Sequence, residues 1–142
     1  MPVYLPRSNK LTPLATTLSS IHIGILLWRA KKLSNETIIS NIKSRRLPEF
    51  QSYQSDIESL VKKVEYVSRI LPFGVTCLHR CYVFQELALE QDYKCWLCIG
   101  VKRVHSQWKA HAWIEIMDAH AITKSFWNTR QHQLLARYPE TI

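Results

Sequence analysis

The chain has 142 residues, 46% of them hydrophobic and 21% charged, enough apolar material for one core, and disorder is not expected. Nineteen Lys and Arg against eleven Asp and Glu leave a net charge of +8, and residues 1–70 hold eleven of those cations. A basic balance suits an anionic partner, yet no basic run exceeds two residues and no aromatic-basic sheet motif of an RNA binder is present, so no nucleic-acid function is expected. The longest apolar run, Ile21 to Trp28, falls far short of the roughly 20 residues of a membrane span. No secretory signal is visible in MPVYLPRSNK, so the chain is expected to stay in the cytoplasm with its four cysteines reduced.

In chain order, residues 1–13 are Pro-rich and read as an irregular arm. Leu14, Ala15, Leu18, Ile21, Ile25 and Leu26 then recur at helical spacing, predicting a helix that ends near Arg29 to Lys32. A short helix follows in LSNETIISNIKSRRLP, capped by Ser34 or Asn35 and stopped by Pro48. Ile57, Leu60, Val61, Val64, Val67, Ile70 and Leu71 make the apolar stripe of a third helix, ended by Pro72 and Gly74. The fourth starts at Thr76 and runs to about Gln91. Beyond it KCWLCIGVK, AHAWIEI and AITKSFW favour strands, with loops at residues 102–109 and around Asp118, and RQHQLLARYPE is predicted to form a short terminal helix. The fold class is therefore α+β in one domain over 1–142, with a helical N-terminal region at 1–72 and a mixed core at 73–142.

Two residues in that core carry chemistry. Cys77 directly follows Thr76, a good helix cap, and the free N–H groups and positive dipole end of a helix start favour a thiolate. The competing reading of Cys77 is a small buried hydrophobe. His111 sits on a predicted strand whose alternation puts Ala110, Ala112, Ile114 and Ile116 on one face and His111, Trp113 and Glu115 on the other. Cysteine chemistry needs a nearby base that takes the thiol proton and returns it to the leaving amine, and a helix start packed beside a strand provides the meeting point.

The run CLHRCYVFQELALEQDYKCWLCIGVKRVHSQWKAHAWIEI, residues 77–116, resembles the signature of the lasso peptide biosynthesis leader peptidases, members of the transglutaminase-like cysteine protease superfamily. In that family a C-L-x-R segment, a helix, a strand ending V/I-G-V-R/K and A-H-A-W-V/I-E recur in this order. Cys77, Leu78, Arg80, Ile99 to Lys102 and Ala110 to Glu115 match. The resemblance implies a transglutaminase-like, papain-like core with a nucleophile helix packed on a small antiparallel sheet, and the stand-alone form of the peptidase. Removal of the leader from a ribosomally made lasso precursor peptide is the implied activity, with Cys77 as nucleophile, His111 as general base and acid, and no cofactor. It also implies a separate small leader-recognition protein as partner, and the macrolactam-forming cyclase as a further one.

Arg80, Trp113 and Glu115 complete the expected site as substrate-binding residues. Arg80 could reach a substrate carbonyl or fix Glu115, and Trp113 is expected to pack against the nucleophile helix. The family carries an Asp or Glu on the next strand to orient the histidine, and here that position falls on Thr123. Asp118 and Asn128 are the candidates to replace it. A zinc site built from Cys77, Cys81, Cys95 and Cys98 is the competing metal reading, but residues i and i+3 of a strand point to opposite faces, so no metal is expected. Acyl transfer to an amine, and a binding module without catalysis, remain the alternatives to hydrolysis.

Overall fold

Local capping fixes where the helices begin. The computed structural model describes residues 13–50, 57–117, 123–128 and 132–140, and in it the helices are α1 (Pro13–Lys31), α2 (Asn35–Ser44), α3 (Ile57–Ile70) and α4 (Cys77–Glu90). Ser34 caps α2, its Oγ accepting from the Thr37 N–H at 3.1 Å, and Thr76 caps α4, its Oγ1 accepting from the His79 N–H at 3.2 Å. Each such cap satisfies one orphan donor and contributes about 1 kcal/mol. The apolar stripe of α3 buries Leu60, Val61, Val64 and Val67, as its spacing requires. Among the described residues no helix is long and apolar enough to cross a membrane.

Four strands follow, β1 (Cys95–Val104), β2 (Gln107–Met117), β3 (Thr123–Phe126) and β4 (Gln133–Tyr138), in one antiparallel sheet of order β3-β2-β1-β4. The α+β architecture expected from the sequence is the one observed. Two local expectations are corrected. Residues 102–109 are not a loop: β1 and β2 pair out to Val104 opposite Gln107, and His105 and Ser106 make the turn with φ of 50° and 67°. Two left-handed residues give the tight hairpin whose twist matches the strands, but His-Ser lacks the Asn-Gly signature that announces such a turn. The terminal stretch is likewise a strand and not a helix. Gln, Leu, Ala and Arg favour helix locally, whereas the free edge of β1 supplies pairing that overrides that preference.

The sheet has two different faces. Cys95, Leu97, Ala112, Ile114 and Ile116 point into the main core with the helices, while Trp96, Cys98 and Trp113 form a second cluster on the opposite face with Leu47 and Met117. Gln85 fastens α4 to the sheet. Fully buried, it donates through Nε2 to the carbonyls of Cys95 (3.1 Å) and Tyr138 (2.9 Å) and accepts from Arg45 Nη1 (3.0 Å). An amide buried without those partners would cost about 1–3 kcal/mol, so one side chain fixes α4 against the start of β1 and the end of β4 together.

Candidate active site

Cys77 is the first residue of α4, half-buried, and the Ala112 N–H donates to its Sγ at 3.4 Å. That donor is available because β3 pairs with β2 only from Ile114 onward, leaving the Ala112 N–H without a strand partner on that side. The buried methyl of Ala112 lets the helix start come this close. The sulfur thus faces two sources of positive partial charge, the first turn of α4 and the strand amide, and it lies against the peptide that joins His111 to Ala112.

His111 is held from the other direction. Its Nε2 lies 2.6 Å from the carbonyl oxygen of Trp127. A carbonyl can only accept, so Nε2 carries the proton and Nδ1 of the neutral ring keeps its lone pair. Trp127 follows the last residue of β3 with φ of 65°, a left-handed conformation that takes the chain out of the ladder. Its indole is clamped by α4: the Arg80 guanidinium lies 4.3 Å from the ring centroid, and Phe84 meets it edge to face at 5.5 Å. One helix therefore carries the thiol and steadies the residue that orients the imidazole.

The group described on His111 Nε2 is the Trp127 carbonyl, and not Asn128. Asn128 is exposed, Thr123 is paired with Met117 at the far end of β2, and Asp118 lies outside the described residues. Among the described residues the acceptor on His111 is a main-chain carbonyl, a group no side-chain pattern can reveal.

The opposite face of the sheet supports the histidine ring. Trp113 does not pack against α4 as expected; strand alternation puts it in the second cluster, its ring stacked on His111 at 6.3 Å between centroids and 21° between planes. His132 lies 4.8 Å from His111. Glu115 is bound not by Arg80 but by Arg137, whose Nε lies 3.0 Å from Oε2, and Arg137 in turn covers the Trp96 ring at 4.0 Å. The sequence reading did not single out Trp127, His132, Gln85 or Arg45. Gln85 alone left a signal, a polar residue on an apolar helix face.

Burial separates the thiols. It pushes Cys81 and Cys95 well above the ordinary thiol range, and burial followed by the neighbouring Glu115 carboxylate pushes Cys98 up to about 12. His79, also on α4, is held below its usual 6.5 by burial and then by the charge of Lys31. Cys95 and Cys98 face opposite sides of the sheet, and among the described residues no cluster of His, Cys, Asp and Glu could hold a metal ion. Iodoacetamide at neutral pH is accordingly expected to label Cys77 at least about tenfold faster than the other three, because the thiolate is the reacting form. Peptide mapping by mass spectrometry reads this, and equal labelling of all four would exclude an activated thiol at the helix start.

A family model described as the transglutaminase-like superfamily matches residues 21–134, and the chain belongs to that superfamily. No curated protein and no solved structure matches it.

Proposed function

We propose that this chain is a cysteine peptidase that removes the leader from a ribosomally made lasso precursor peptide, which a separate small leader-recognition protein presents and a macrolactam-forming cyclase then closes. The observation that carries the peptidase reading is the Cys77 sulfur at a helix start, against the His111–Ala112 peptide, with His111 Nε2 committed to a carbonyl. The lasso assignment rests on the resemblance of residues 77–116.

In this reading His111 Nδ1 takes the Cys77 proton, and the sulfur attacks the scissile carbonyl carbon to form a C–S bond. Collapse of the tetrahedral adduct breaks the C–N bond, and His111 returns the proton to the departing amine. Water, deprotonated by His111, then cleaves the thioester and regenerates the thiol. Arg80 is a positioning residue here, acting through Trp127, and Trp113 acts by supporting the ring from below.

The test is to incubate the protein with a lasso precursor and its recognition protein and to weigh the products. Leader and core whose masses sum to the precursor plus one water are expected, with Cys77→Ala slower by at least about a thousandfold. A product carrying an added amine would make the enzyme an acyl transferase. Unchanged precursor with wild-type protein would leave a binding module.

A further inference from the structure

Strand β2 runs from Gln107 to Met117, yet β3 covers only Ile114 to Met117. The Ala112 N–H leaves the sheet to reach Cys77, so by the two-residue alternation of an antiparallel ladder the N–H and C=O of Ala110 and Trp108 face the same open side. Residues 107–110 are exposed, and no described residue pairs with this edge. An open strand edge is a template for another strand, and this one leads directly to the thiol, each two-residue step covering about 6.6–6.8 Å.

The charge of the edge is equally one-sided. The hairpin tip from Lys102 to Lys109 holds Lys102, Arg103 and Lys109 and no carboxylate, and no Asp or Glu occurs between Asp92 and Glu115.

We infer that the edge of β2 at Trp108–Ala110 docks an extended, acidic segment of the peptide substrate as an added strand, with the scissile carbonyl delivered to Cys77. Main-chain hydrogen bonds to Ala110 and Trp108 would set the register, and the cations of the tip would select carboxylates over ammonium groups. The inference deepens the peptidase reading, resting on Cys77 as the nucleophile but not on the identity of the precursor.

The experiment uses Cys77→Ala protein with two synthetic probes, acetylated peptide amides of about ten residues that alternate Glu with Thr or Lys with Thr. The Glu peptide is expected to slow hydrogen exchange of the Ala110 and Trp108 amides at least about tenfold, leaving the β1-facing Lys109 amide unchanged, and to bind more weakly as salt rises. Ala110→Pro removes an edge-facing N–H without touching the β1 ladder and should weaken binding about tenfold while the fold is kept. Circular dichroism checks the fold, and Lys109→Glu, which leaves the backbone intact, should weaken the Glu peptide and favour the Lys peptide. Equal binding of the two peptides, protection elsewhere, or no protection at millimolar peptide would overturn the inference. Precursor cleavage without edge protection would sink the docking site alone, whereas edge protection without any cleavage would sink the peptidase reading alone.

Discussion

His111→Ala is expected to stop precursor cleavage, with a loss of at least about 10³–10⁴ in rate, while the protein stays folded. General acid–base catalysis by a placed imidazole contributes about 10²–10⁴, and in the proposed reaction one ring both takes the thiol proton and returns it to the amine. The side chain is half-buried and outside both apolar clusters, so its removal disturbs little packing. The contrast with the orienting candidates makes the experiment informative. Because Nε2 donates to the Trp127 carbonyl, Asn128→Ala should cleave at close to the wild-type rate, and Asp118→Ala should retain measurable cleavage. Trp127→Ala keeps the carbonyl but loses the clamp of Arg80 and Phe84, and an intermediate loss of about 10–100-fold is expected, with the pH–rate profile moved as well. Single-turnover rates of the folded variants decide the matter. An Asp118→Ala enzyme as inactive as His111→Ala would make that carboxylate the orienting group, and an active His111→Ala would remove the catalytic reading of the strand.

What the sequence disclosed about this site follows the range of the interactions. Ser34 and Thr76 cap helices through residues three positions on, and the stripe of α3 repeats within its own turns, so these elements are written locally. The placement of Cys77 at a helix start and of His111 on a strand was legible for the same reason: one follows from a cap and the other from strand alternation. The β4 strand was not, because its conformation depends on the free edge of β1, far away in the chain. Nor was the tight His105-Ser106 turn, whose left-handed residues are imposed by the strands they join. Alternation correctly put Trp113 on the face of His111, but it says nothing about what covers that face, and the supposed contact with α4 failed there. The Trp127 carbonyl is the extreme case, since every residue has one and only the fold chooses which meets the imidazole.

Gly100→Val is expected to destabilise the fold and to impair the site together. Gly100 stands directly opposite His111 in the β1–β2 ladder. A Cβ at that position would come 2.6 Å from the Gln133 carbonyl oxygen and 2.7 Å from two carbons of the Trp113 indole. Neither neighbour has easy room to retreat: the first is backbone of β4, and the second is packed with Trp96 and Cys98, only 3% exposed. The glycine thus lets the indole lie diagonally across β1, where an aromatic ring covers the gap and supports the His111 ring beside it. Overpacking of this kind costs about 1–3 kcal/mol, and the branched Val should reach the upper end. For a chain of this size that lowers Tm by about 6–12 °C. Gly100→Ala should do the same to a smaller extent, and combining it with Trp113→Phe should restore part of the stability, because the smaller ring relieves the indole clash but not the one with Gln133. Cleavage should fall further than stability alone accounts for when both are measured well below Tm, since a displaced Trp113 no longer fixes the imidazole stacked on it. A Gly100→Val protein with wild-type Tm and rate would mean that β4 and the indole both step aside, and the position of His111 would then owe nothing to the missing side chain across from it.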